Sequence, residues 1–150
     1  MKAKQSNLLD EKLHGFPPNP YNPHAWVLGK PKIGEDVWIG AFTLIDAQYA
    51  DLTIGTGCNI SSGAQILTHS TVRRTVTERK HPHVDAAPVI IGNHCFIGTN
   101  AVILMGSTIG HHSVIGAGCV VPEGSKIPPY SLVVGVPAKI IGSTKKHVAI

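Results

Sequence analysis

Eight large aliphatic residues stand six apart along the C-terminal half of the chain: Ile91, Ile97, Ile103, Ile109, Ile115, Val121, Ile127 and Val133. Ile, Leu and Val fill 39 of the 150 positions, so a random arrangement would satisfy about two of those eight. A period of six matches neither the turn of an α-helix nor the plain alternation of one long strand. It is the period of a solenoid in which each short strand and its corner take six residues, a hexapeptide β-helix.

Three further slots agree. Four residues after each aliphatic stand Cys95, Ala101, Ser107, Ser113, Cys119, Ser125 and Ser131, all small. A narrow prism holds one bulky side chain per face in each layer with a small one beside it, and its layers stack about 4.8 Å apart. The position directly after the aliphatic is often glycine (Gly92, Gly98, Gly110, Gly116), which suits a tight corner. The third position reads His94, Asn100, Gly106, His112, Gly118, Gly124, residue types that tolerate positive φ.

The pattern starts earlier in another phase at Ile33, Ile39 and Ile45, and slips over residues 46–53. It resumes at Ile54, Ile60 and Ile66, then breaks over 71–89. The predicted fold is all-β, a parallel β-helix with full coils between about residues 25 and 136 and an excursion loop at 71–89, in one domain over 1–150. A short helix is expected over 6–14, an extended proline-rich strap over 16–23, and a short tail in the last ten residues.

Net charge is +4 and aromatics are 5% of residues. With no arginine-rich helix or nucleic-acid motif, a small polyanion is a more economical partner than nucleic acid. No apolar run is long enough to span a bilayer, and the N-terminus has no signal-peptide core, so a cytoplasmic protein is expected. Cys58, Cys95 and Cys119 all occupy the small slot and read as reduced core residues, without a metal or catalytic role.

The run Ile91-Gly-Asn-His-Cys-Phe-Ile-Gly98, the run Val114-Ile-Gly-Ala-Gly-Cys-Val-Val121 and the stretch Val134-Gly-Val-Pro-Ala-Lys-Ile140 together resemble the left-handed β-helix acyltransferases of the hexapeptide-repeat family. The likeness is to the C-terminal half of sugar O-acetyltransferases and covers residues 26–141. Ile66-Leu-Thr-His-Ser70, followed by a loop and Ala87-Pro-Val89, resembles the segment that carries their catalytic histidine. The resemblance implies left-handed coiling, acetyl-CoA as co-substrate, transfer to a hydroxyl of a sugar or glycan precursor, and a homotrimer with sites between neighbouring prisms. It assigns His69 as the catalytic base, Thr99 and Ala117 to the pantetheine arm through backbone groups, and Lys139 to the nucleotide end of CoA. The chain departs from the pattern at Pro122–Glu123, where a Thr-Lys pair is usual, and at Gly142, where a second basic residue is usual. Lys126, Lys145 and Lys146 offer replacement charge.

Each candidate also has a plainer reading. His69 falls in the turn slot of His94 and His112, where histidine simply tolerates left-handed backbone; against that, it borders the excursion, and excursions from solenoids carry function. Asp46, in the register slip, either binds an acceptor hydroxyl or caps a turn. Arg73 and Arg74 either hold an anionic group of the acceptor or are solvated. His81-Pro-His83 lacks the partner ligands of a metal site. His111–His112 reads as an exposed turn, and Trp26 and Trp38 as packing near the first coil. Among rival functions, N-acetylation of a nucleotide-linked amino sugar uses the same fold. A γ-type carbonic anhydrase needs two histidines five apart, a spacing that His69, His94 and His111 do not offer. A non-catalytic assembly subunit is the third alternative.

Overall fold

A computed structural model of the chain describes residues 17–149, so the helix predicted over 6–14 lies outside the described residues. The six-residue strides wind into a triangular prism with three faces. The first face carries Trp26–Gly29, Leu44–Ala47, Gln65–Leu67, Val102–Ile103 and Val120–Val121. The second carries Lys32–Ile33, Leu52–Ile54, Val89–Ile91, Thr108–Ile109 and Lys126–Ile127. The third carries Trp38–Ile39, Asn59–Ile60, Phe96–Ile97, Val114–Ile115 and Ser131–Val134. The chain visits the faces in that order, so a first edge joins first to second face, a second edge joins second to third, and a third edge returns to the first.

The register is the sequence period made visible. Ile91 pairs with Ile109 and Ile109 with Ile127; Ile97 pairs with Ile115 and Ile115 with Val133; Ile103 pairs with Val121. Each step is one coil of three hexads, so like side chains stack over like. Seven of the eight aliphatics are buried, and only Ile127 is partly exposed. Each fully buried Ile or Val stabilises the fold by about 1.5–3 kcal/mol, and the column of them is the core. The small slot beside it is buried too, except for the half-buried Ser125, and its hydroxyls are satisfied: Ser107 and Ser113 donate to the carbonyls of Pro122 and Pro128 at 3.0 and 3.1 Å.

The two irregularities are insertions at the first edge. Ile45 pairs with Ile66, 21 residues on, where the regular coil from Ile97 to Ile115 takes 18. The slip at 46–53 is therefore a corner widened by three residues. Ile66 pairs with Ile103, 37 residues on, because the excursion is inserted at the same edge. The departure is slightly earlier and shorter than predicted: His69–Ser70 leaves the coil as an antiparallel rung against Asp85–Ala86, and Val89 is already buried on the second face opposite Leu52.

The glycine after the aliphatic has a different cause from the one expected. Gly98 is not in the left-handed region; a Cβ there would stand 2.5 Å from the backbone N of Ala117 on the next coil. Close stacking of coils excludes the side chain, while the left-handed turn falls two residues later, at Asn100 (φ 57).

Trp26 and Trp38 do not pack inside. They point outward and are 43% and 53% exposed, because each precedes an inward aliphatic and strand side chains alternate. They head two outer columns. On the first face Trp26, Leu44, Gln65, Val102 and Val120 lie in register. On the third face Trp38, Asn59, Phe96, Val114 and Leu132 do so. Both are mostly apolar, whereas the second face shows Lys32, Thr53, Ile90, Thr108 and Lys126.

The strap over 17–23 is irregular and is pinned by Asn19, whose amide donates to the carbonyls of Asn22 and Ala25, both at 3.0 Å. At the other end the tail packs rather than frays. Lys139–Ser143 folds back antiparallel to Ser131–Val134, and Thr144 is buried, its hydroxyl donating to the carbonyl of His112.

Candidate active site

The widened corner and the excursion lie on successive coils of the same edge, and they bring three side chains together. Asp46 is the next-to-last residue of the strand Leu44–Ala47 and is buried. Its Oδ1 accepts the N–H of Gln48 at 3.0 Å, which caps the corner. Its Oδ2 lies 3.2 Å from Nδ1 of His69. The two are at ion-pair distance, and Nδ1 is shielded from solvent, although the pair is not aligned as a hydrogen bond. Thr68 ties the two coils just beside them: it is buried, and its hydroxyl donates to the carbonyl of Asp46 at 2.8 Å. Tyr49, carried by the widened corner, lays its ring on the imidazole with centroids 4.2 Å apart.

His69 is not held there by left-handed backbone. Residues in its turn slot on later coils, among them His94 and His112, have positive φ, whereas His69 sits in a two-residue strand paired with Ala86. Its ring is 26% exposed. With Nδ1 turned to a buried carboxylate, Nε2 is the nitrogen left to exchange a proton.

The excursion is held by its own charges. Arg73 donates to Asp85 at 2.6 Å, and His81 Nε2 lies 3.4 Å from the same oxygen. Hydrogen bonding from Arg73 holds the Asp85 carboxyl below its ordinary range, with His81 adding to the effect. Arg74 is half-buried, its Nε shielded and unpartnered, and it lines a pocket of about 350 Å³ with Thr71, Thr75, Glu78 and Arg79. The short helix Val72–Val76 exposes both its valines.

The remaining candidates lie elsewhere on the same prism. Thr99 and Ala117 are exposed on the third edge, on neighbouring coils, with the Thr99 carbonyl accepting the N–H of Gly118 at 2.8 Å. Lys139 is exposed at the start of the reversed strand, opposite Val134. One chain therefore joins His69 to Asp46 but not to Thr99, Ala117 or Lys139. Tyr49 and the pairing of Asp46 with His69 escape a linear reading. Their only trace in the sequence is the three-residue slip.

The cysteines behave as core. All three are buried and free. Cys58 and Cys95 stack on adjacent coils; hydrogen bonding from Cys95 lowers the Cys58 thiol to about 7, while its bond to Cys58 and burial push Cys95 up.

A sequence profile described as the hexapeptide repeat of succinyl-transferase matches residues 88–122. A hexapeptide-repeat-containing acetyltransferase from Vibrio cholerae, solved in complex with acetyl coenzyme A, is 31% identical with a TM-score of 0.66, covering 79% of this chain and 67% of that one. The chain belongs to the hexapeptide-repeat acyltransferase family. The prism of this acyltransferase is accordingly the left-handed parallel β-helix. A maltose O-acetyltransferase from Clostridium difficile is similar at 26% identity and TM-score 0.64, covering 79% of this chain and 66% of that one. AntD, an N-acyltransferase from Bacillus cereus solved with dTDP and 3-hydroxybutyryl-CoA, shares the fold at 24% identity and TM-score 0.72, covering 85% of this chain and 70% of that one. No curated protein matches the acyltransferase. Among the described residues no helix is long and apolar enough to cross a membrane.

Proposed function

We propose that this protein moves an acetyl group from acetyl-CoA to a hydroxyl of a sugar or glycan precursor, with His69 as general base. The observation that carries this reading is the buried Asp46 carboxylate against Nδ1 of His69, beside an inserted loop in a family of acyltransferases. Asp46 favours the tautomer with hydrogen on Nδ1 and steadies the imidazolium that forms. Nε2 then takes the acceptor's O–H proton as that oxygen attacks the thioester carbonyl carbon. The C–S bond breaks, the acetyl group is on the acceptor oxygen, and the proton returns from Nε2 to the CoA sulfur. Positioning and proton transfer suffice for this chemistry, and no covalent enzyme intermediate is required.

The assembly is a homotrimer in this reading. The first face lies between the edge of His69 and the edge of Thr99 and Ala117, and its outer column is largely apolar. Packing three first faces around an axis sets the first edge of one copy beside the third edge of the next, so that Thr99, Ala117 and Lys139 of one copy hold CoA toward His69 of its neighbour. Of the two arginines we assign Arg74 to the acceptor, since Arg73 is engaged by Asp85. A single-domain cytoplasmic enzyme accords with three unpaired cysteines.

The test is thiol release from acetyl-CoA against a panel of sugars and nucleotide-linked amino sugars, with thermal stabilisation by CoA measured alongside. Turnover with a hydroxyl acceptor and an upward shift in Tm are expected. Turnover with amino sugars alone would make the reaction N-acetylation. Neither turnover nor a shift would leave a non-catalytic coil.

A further inference from the structure

His111 and His112 lie on the second edge, whereas His69 lies on the first, and no step of the transfer uses them. Their Nδ1 atoms stand 2.9 Å apart. That distance fits two arrangements: an N–H···N hydrogen bond, with one neutral ring carrying its hydrogen on Nδ1, or both Nδ1 lone pairs turned to one metal ion. Metal–imidazole bonds are about 2.0–2.1 Å long. Two of them at a right angle span about 2.9 Å, while a tetrahedral angle spans about 3.3 Å. The right-angle bite belongs to square-planar and tetragonal ions, Cu2+ and Ni2+ above all.

The pair is also held in place. The turn slot gives His112 a left-handed backbone, φ 58. Coil stacking lays its ring on Tyr130 of the following coil, centroids 5.0 Å apart and 21° from parallel, with His94 of the preceding coil at 5.1 Å. His111 meets the same tyrosine edge-on at 5.1 Å. Rings fixed before binding lose little freedom when a ligand arrives. His111 is exposed, so an ion can reach it. Lys145, over the Tyr130 ring at 5.7 Å, is the nearby cation. No group of three or more His, Cys, Asp or Glu suited to a metal occurs among the described residues, so water would complete the coordination.

We propose that His111 and His112 form a two-imidazole chelate for a divalent late transition-metal ion, Cu2+ first among them, through their paired Nδ1 atoms. The site stands apart from the proposed transfer and does not depend on it.

Cu2+ titration of the full chain under competition with a chelator of known affinity tests this, with electron paramagnetic resonance to count coordinated imidazole nitrogens. One Cu2+ per chain with two imidazoles is expected, with Zn2+ binding more weakly. An outer-sphere partner of a metal ligand is worth about 10–100-fold in affinity, so His111→Gln and His112→Asn should each cost at least about tenfold. Asn is chosen because it accepts the left-handed turn; if that variant misfolds, His111→Gln decides alone. His83→Gln should bind like the parent. Absence of binding, binding untouched by His111→Gln, or loss on His83→Gln would overturn the site and leave a plain N–H···N hydrogen bond between the rings.

Discussion

Nδ1 of His69 lies 3.2 Å from Oδ2 of Asp46, a coil apart in sequence and joined across the first edge. That relationship makes two substitutions informative. His69→Ala removes the base and is expected to lower kcat by about 10²–10⁴ while acetyl-CoA still binds. Asp46→Asn keeps the volume and the cap on Gln48 but removes the charge beside Nδ1. It is expected to lower kcat by about 10–100-fold with the fold intact. Steady-state kinetics with calorimetric CoA binding check both, and near-parental turnover in His69→Ala removes it from the mechanism.

A methyl group added at Gly98 meets backbone rather than a side chain that can swing away, with Ala117 N at 2.5 Å. Gly98→Ala should therefore force the coils apart and cost about 1–3 kcal/mol, read as a fall in Tm. An unchanged Tm would mean that coil spacing is softer than the contact implies.

The bond from Arg73 to Asp85 should respond to acid in a defined direction. Arg73 holds the Asp85 carboxyl below its ordinary range, so the folded chain binds that proton more weakly than the unfolded chain does. The stabilising effect is complete above about pH 4, the ordinary carboxylate value, and fades as pH falls through the lower folded value. Hydrogen exchange in the excursion, corrected for intrinsic rates, should stay constant from neutral pH to about pH 5 and quicken below about pH 4. Asp85→Asn should exchange quickly throughout, and protection equal to the parent's would show that the bond does not order the loop.

The coil was legible because its rule is local. A core aliphatic every six residues, a small partner four on and a left-handed residue three on are each readable without knowing the neighbours, and Ile97, Ala101 and Asn100 behave accordingly. What depends on stacking was not legible. Trp26 and Trp38 point outward because of strand alternation. Gly98 answers to the coil beyond it, and the reversed strand Lys139–Ser143 follows no hexad. The site divides in the same way. His69 is visible from its place at a break in the period, whereas Asp46 and Tyr49 reach it only across an edge, and the slip that carries them shows up in sequence merely as lost register.

The strand Lys139–Ser143 runs against the direction of all the other rungs on the third face. A rule that repeats every six residues contains no instruction to stop, and the last rung of such a ladder would offer bare amides and carbonyls to any similar ladder nearby. By doubling back, the polypeptide occupies that rung itself. It punctuates its own repeat and denies other molecules one landing place for end-to-end growth into a fibre.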